Sequence, residues 1–242
     1  MTELQSNNLE YSFGAQKLIG FLAKPKAQAA RAGVVLIHDA FGVSDFIREQ
    51  AKRLAAQGHA VLAADIWGDG RQLREESEIG PTIGRFASDR AEWMGRIRAA
   101  IDTLADSADL DVSRIALAGY CFGGASALEY LRTQRHVTGV VSLHGGLDLV
   151  GQDWSAARTS SKALVLTGAE DPMASESSLA FLQRGLTQSG VDWEVNLYGH
   201  VKHGFTRPDA DRANKPQVIA YSESAARRSW HAMSRFLEEV LA

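Results

Sequence analysis

Five short, continuous apolar runs recur along the chain, each bounded by turn residues: "GVVLIH" (33–38), "AVLAAD" (60–65), "RIALAG" (114–119), "GVVSLHG" (139–145) and "ALVLTG" (163–168). Runs of this length without polar alternation predict strands of a parallel sheet that is covered on both faces. Between them the period lengthens. In "SDFIREQAKRLAAQG" (44–58), Phe46, Ala51, Leu54 and Ala55 share one helical face, Ser44 or Asp45 can cap the start, and Gly58 ends it. Further helices are predicted over about 85–105, after Gly123, over 175–189 and from about 217 to 240, with a last strand in "WEVNLYG" (193–199). At the start, "LEYSFGAQKLIGFLAKP" (9–25) reads as a hairpin that turns at Gly14 and ends at Pro25. Residues 26–33 read as a surface connector, and 66–84 as an irregular segment that overhangs the crevice.

Strand and helix alternation predicts an α/β fold: a mostly parallel central sheet, helices on both faces, a three-layer sandwich. No internal repeat or low-complexity tract divides it, and residues 1–242 read as a single domain. In such sheets ligands bind beyond the carboxyl ends of the strands. The residues to inspect therefore follow the strands: His38 to Ala40, Asp65 to Trp67, Tyr120 to Phe122, His144 to Gly146, Glu170 to Pro172, and His200 to His203.

Composition narrows the function classes. Hydrophobic residues make up 45% of the chain and charged residues 23%, the balance of a globular protein rather than a disordered or fibrous one. A formal net charge of −3 without a basic run leaves no electrostatic footprint for nucleic acid or an anionic membrane surface. No window approaches the roughly 18 apolar residues of a membrane span, and "MTELQSNNLEYSF" lacks the pattern of a secretory signal. One cysteine permits no internal disulfide, so a cytoplasmic address is expected.

That cysteine stands in "GYCFGG" (119–124), a Gly-x-Cys-x-Gly placed between a buried strand and an amphipathic helix. This is the pattern of a nucleophile elbow, in which a tight strand-to-helix turn holds the reactive side chain at the positive end of a helix. The competing reading is a small apolar residue packed under the turn, the fate of most lone cysteines. A nucleophilic thiol needs a base, and the base an orienting carboxylate, in the chain order nucleophile, acid, histidine. Asp171 follows the strand 163–168 with Pro172 behind it, whereas Asp148 comes too early for that order. Of the later histidines, His203 is favoured over His200 because Gly204 can turn its ring toward the crevice. His231 falls inside the last helix and reads as structural, and His59 and His136 read as solvated imidazoles at helix ends. His144 ends a strand, where it either lines the pocket or makes a local hydrogen bond.

"GYCFGG", "GAEDP" and "HGFTR", together with "HDAFGVSDFIREQAKRLAAQGHAVLAADIWGDG", resemble the dienelactone hydrolase family of α/β-hydrolases, which uses cysteine where most relatives of the fold use serine. The resemblance implies a Cys121, Asp171, His203 triad, an oxyanion hole formed by the backbone N–H groups of Phe122 and Ala40, and a thioester intermediate. It gives Asp39 the place of a glutamate that pairs with the cysteine in the resting enzyme. A carboxylate there can equally cap the turn before Phe41 and Gly42. The resemblance also matches Arg207 to an arginine that binds a substrate carboxylate, or an exposed arginine before Pro208 fills the position. A second such arginine would fall in the middle segment, with Arg85 and Arg90 as candidates. Trp67, Tyr120, Phe122 and Phe205 are expected to shape the pocket.

The expected activity is hydrolysis of a small-molecule carboxylic ester or lactone, with no cofactor and no metal, and a homodimer is compatible with it. Two readings from other classes stand beside it: a hydrolase-fold protein that binds a small molecule without turnover, and a redox-reactive thiol protein.

Overall fold

The structure is a computed structural model that describes residues 2–133, 137–157 and 160–242. His136 lies outside the described residues. The chain falls into two compact units, Met1–Leu117 with Leu241, and Ala118–Val240 with Ala242.

The first unit opens with β1 (Leu4–Phe13) and β2 (Gln16–Pro25), an antiparallel hairpin in register from Leu4 opposite Pro25 to Phe13 opposite Gln16. It continues through β3 (Gly33–Ile37), α1 (Asp45–Ala55), β4 (Ala60–Ala64), α2 (Glu76–Ser88) and α3 (Arg90–Ala108). β2 pairs antiparallel with β4, and β3 parallel with β4, from Gly33 opposite Ala60 to Ile37 opposite Ala64. Every residue of β3 and β4 is buried, as the unbroken apolar runs require. α1 and α3 both pack on β4. Each fully buried branched side chain of these strands contributes roughly 1.5–3 kcal/mol of apolar burial.

Three expectations are corrected in this unit. Residues 66–84 are not irregular throughout, because α2 occupies Glu76–Ser88, and the helix expected over 85–105 begins at Arg90. Gly80, Pro81 and Gly84 have low intrinsic helix propensity, yet they lie inside this helix. A capping box between Glu75 and Glu78 closes the first turn, the helix packs on α3, and Phe86 is its one buried residue. Asp89 separates the two helices and accepts the Glu92 N–H as the cap of α3. His59, expected to be solvated, is buried at 7% exposure.

β5 (Ile115–Tyr120) is shared: Ile115–Leu117 lie in the first unit and Ala118–Tyr120 in the second. The second unit then holds α4 (Phe122–Arg132), β6 (Gly139–Leu143), β7 (Lys162–Gly168), α5 (Glu176–Gln188), β8 (Asp192–Tyr198) and α6 (Glu223–Val240). β6 pairs parallel with β7, and β7 parallel with β8. α4 packs on β6, α5 on β8, and α6 on β6 and β7. α6 starts six residues later than the sequence suggests (217 against 223), because the backbone before it makes hydrogen bonds to the loop of His203 instead. The strand order is β1-β2-β4-β3-β5-β6-β7-β8, a mostly parallel eight-stranded sheet. No helix among the described residues is long and apolar enough to cross a membrane.

Candidate active site

β5 ends at Tyr120 and α4 begins at Phe122, so Cys121 alone makes the turn, with φ 53° and ψ −115°. L residues rarely adopt that conformation, and it persists only where the surroundings enforce it. The enforcement is visible. A Cβ at Gly119 would lie 2.1 Å from the Gly123 carbonyl oxygen, so only glycine lets strand and helix meet this closely. The Cys121 N–H donates to the Leu143 carbonyl at 2.9 Å, and the Cys121 carbonyl accepts from the N–H groups of Gly124 (2.9 Å) and Ala125 (3.1 Å). The half-buried thiol is thereby held beside the first turn of α4, where helical N–H groups favour negative charge.

His203 Nε2 lies 3.1 Å from Cys121 Sγ, and His203 Nδ1 lies 2.9 Å from Asp171 Oδ2. The carboxylate's other oxygen accepts the Met173 N–H at 2.9 Å, fixing it in its turn. An ionised carboxylate can only accept, so Nδ1 carries a proton and Nε2 faces the sulfur. Asp171 and His203 are each 3% exposed. Burial works against the charged imidazole, but the charge of the Cys121 sulfur and the hydrogen bond to Asp171 outweigh it, and His203 is pushed up to about 10. The arrangement therefore favours a protonated imidazole beside the Cys121 sulfur.

The His203 loop is clamped by the chain that precedes α6. The His203 N–H donates to the Val218 carbonyl (3.1 Å), and the His203 carbonyl accepts the Ala220 N–H (3.2 Å), a bridge that pairs His203 with Ile219. His144 is buried against this loop, with Nε2 2.8 Å from Thr206 Oγ1 and its ring edge-on to His203 at 5.2 Å between centroids. Burial first, then the charges of His203 and Arg207, hold His144 well below the ordinary imidazole value. Tyr120 and Phe205 flank His144, and both are buried, as is Phe122. Phe205 also belongs to a small core with Val201 and Ala225.

Arg207 Nε and Nη2 each lie 3.0 Å from an oxygen of Asp209, so its fork grips a carboxylate of its own loop. His200 is exposed and meets Glu170 at 3.2 Å, away from the Cys121, His203 and Asp171 cluster. His231 is exposed on α6, and Asp148 is exposed in the turn after β6.

In the first unit, Asp39 Oδ1 accepts the Phe41 N–H at 2.9 Å, which is the turn-capping arrangement. Trp67 donates its indole N–H to the Ala40 carbonyl at 3.2 Å and meets the rings of His38 and Phe86 at a tilt. His38 Nε2 accepts the Ile66 N–H at 3.1 Å, leaving Nδ1 to donate to the Asp39 carbonyl at 2.6 Å. Burial lowers its affinity for a proton, so His38 is a neutral brace of the loop that carries Asp39 and Ala40. Arg85 pairs with Glu92, and Arg90 lies over the Trp93 ring. Thr206, Leu143 and Ile219, which hold the cluster together, carry no local sequence signal of that role.

A mostly parallel sheet whose strand breaks into a helix at one strained residue, with histidine and carboxylate on loops after later strands, defines an α/β-hydrolase. The model of the dienelactone hydrolase family matches residues 18–241, and the chain belongs to that family and is a hydrolase. It is 34% identical to the solved structure "m3DLH", with a TM-score of 0.91 and 99% of each chain covered. It is also 34% identical to a structure described as a dienelactone hydrolase-like promiscuous phosphotriesterase from metagenomic libraries, with a TM-score of 0.91 and 98% of each chain covered. A relative from Yersinia pestis named "Putative carboxymethylenebutenolidase" is 23% identical, covering 90% of this chain and 82% of its own.

Proposed function

We propose that the chain hydrolyses small-molecule carboxylic esters or lactones through a Cys121, His203, Asp171 triad and a thioester intermediate, with residues 1–242 acting as one catalytic domain. The observation that carries this reading is the continuous contact from Sγ through the His203 ring to a buried carboxylate, with the ring favouring its proton. The sulfur anion attacks the carbonyl carbon, a C–S bond forms, and the π pair moves to the carbonyl oxygen. The N–H of Phe122, at the start of α4, is the donor that this unit offers to the resulting oxyanion. Collapse breaks the C–O bond, and His203 gives its Nε2 proton to the departing alkoxide. His203, now neutral, takes a proton from water as the hydroxide adds to the thioester, and a second collapse returns the thiolate, a protonated His203 and the carboxylic acid, which releases its own proton to water as the carboxylate product. Asp171 keeps the Nδ1–H toward itself throughout, so that Nε2 is always the nitrogen facing the reaction.

A thiol that must remain reduced to react fits a reducing compartment, the cytoplasm. A second reaction of the same thiolate, attack at the phosphorus of an activated phosphotriester, is favoured by the similarity over 98% of the chain to the protein described as a promiscuous phosphotriesterase.

The test is a hydrolysis screen of aryl esters, dienelactones, other lactones and an aryl phosphotriester, run beside Cys121→Ala. Turnover of an ester or lactone is expected in the natural protein and a loss of about 10³-fold or more in the variant. Undiminished hydrolysis by Cys121→Ala would remove the nucleophile from this reading.

A further inference from the structure

β6 ends at Leu143, and Leu143 and His144 together touch the loops that bear Cys121 and His203 and the strand that leads to Asp171. The Leu143 carbonyl accepts the Cys121 N–H at 2.9 Å, on the elbow. The His144 N–H donates to Leu166 at 2.8 Å, on the strand that leads to Asp171. The His144 ring reaches the third loop, through Nε2 to Thr206 Oγ1 at 2.8 Å and edge-on to His203 at 5.2 Å.

Packing alone does not account for a histidine here. The residue is 1% exposed, its φ is +37°, and its Nδ1 has no hydrogen-bond partner among the described residues. A buried ring nitrogen without a partner costs desolvation with no return, and phenylalanine would fill the same space without that cost. What histidine adds is the bond to Thr206. Residues held in a sparsely populated backbone conformation cluster at active sites, which is where this one lies.

We propose that His144 and Thr206 are positioning residues that set the separation between His203 Nε2 and Cys121 Sγ. Their hydrogen bond stops the His203 loop from sliding past the end of β6, and the His144 ring edge stops the imidazole from tilting away from sulfur. The charged and titratable groups around His203 are Cys121 from the elbow, Asp171 from the loop after β7, and His144 from the end of β6; His144 in turn faces Tyr120 from β5 and feels the charge of Arg207 from the His203 loop. Because His144 stays neutral, it supports a protonated His203 without repelling it. This inference rests on the roles proposed for Cys121 and His203, and its test needs no ester.

The measurement is the pH dependence of Cys121 alkylation by iodoacetamide, with melting temperature alongside, in the natural protein, Thr206→Val, Thr206→Ser and His144→Phe. Valine keeps the shape of threonine and loses the hydroxyl. The expected result is a Thr206→Val profile displaced upward by about one pH unit, so that alkylation on the acid limb slows about tenfold. Thr206→Ser is expected to restore the natural profile, and His144→Phe, which keeps a ring and loses the bond, to follow Thr206→Val. If His144→Phe does not fold, the valine and serine pair decides. A natural profile in Thr206→Val overturns the proposal, whatever happens to the melting temperature. A displaced profile in a protein that hydrolyses no ester or lactone supports the positioning role while defeating the proposed activity; ester turnover with an undisplaced profile does the reverse.

Discussion

At Cys121 the backbone sits at φ 53° and ψ −115°, a conformation that costs an L residue on the order of 1–3 kcal/mol. At an ordinary helix start, alanine would stabilise more than glycine. Here the order is expected to invert: Cys121→Gly should be more stable than Cys121→Ala by about 1 kcal/mol, a melting temperature roughly 2–4 °C higher, with hydrolysis lost in both. Thermal denaturation of the two variants checks it, and equal or reversed stability would mean that the turn carries no strain. The reactive candidates were legible in sequence because each follows a strand, the place where an α/β sheet opens. Thr206 was not, since its partner His144 is 62 residues away and only the fold brings them together. Arg207 shows the same limit from the other side. Its chemistry suits a carboxylate, and the chain supplies one from Asp209, with both oxygens at 3.0 Å.

The elbow works only if β5 and α4 can approach each other, and Gly119 decides that. Gly119→Ala would place its Cβ 2.1 Å from the Gly123 carbonyl oxygen, a backbone atom that cannot swing aside. The expected cost is about 3 kcal/mol, a fall in melting temperature of roughly 6–12 °C, together with a loss of hydrolysis as Cys121 is displaced. A calorimetric scan and an ester assay on one preparation test both halves, and unchanged stability would show that the strand-to-helix turn has room to spare. The strands were legible because continuous apolar runs have few other uses. α2 was not, because Gly80, Pro81 and Gly84 argue locally against a helix that a capping box and α3 sustain. The late start of α6 has a related cause. Val218 and Ala220 spend their backbone groups on His203, and a helix there would need the same groups for itself.

For the molecule as a whole, buried imidazoles give folding stability a maximum near the ordinary histidine value of 6.5. His203 is pushed up to about 10, so the folded state holds a proton that the unfolded chain releases as pH rises. Its contribution, which comes from the contacts with Cys121 and Asp171, is fully present below 6.5 and is lost as pH climbs through about 10. His38 in the first unit and His144 in the second act in the opposite sense. Burial holds both below 6.5, so the unfolded chain binds protons that the folded state refuses, and stability falls as pH drops below 6.5. Melting temperature measured from pH 5 to pH 10 should therefore trace a dome with its top near neutrality. His203→Gln should flatten the alkaline arm and, by removing one of the charges that hold His144 down, weaken the acid arm only in part, whereas His38→Gln should flatten part of the acid arm alone. An alkaline arm that survives His203→Gln would show that the proton lies elsewhere, and with it would go the charged pair on which the proposed chemistry depends.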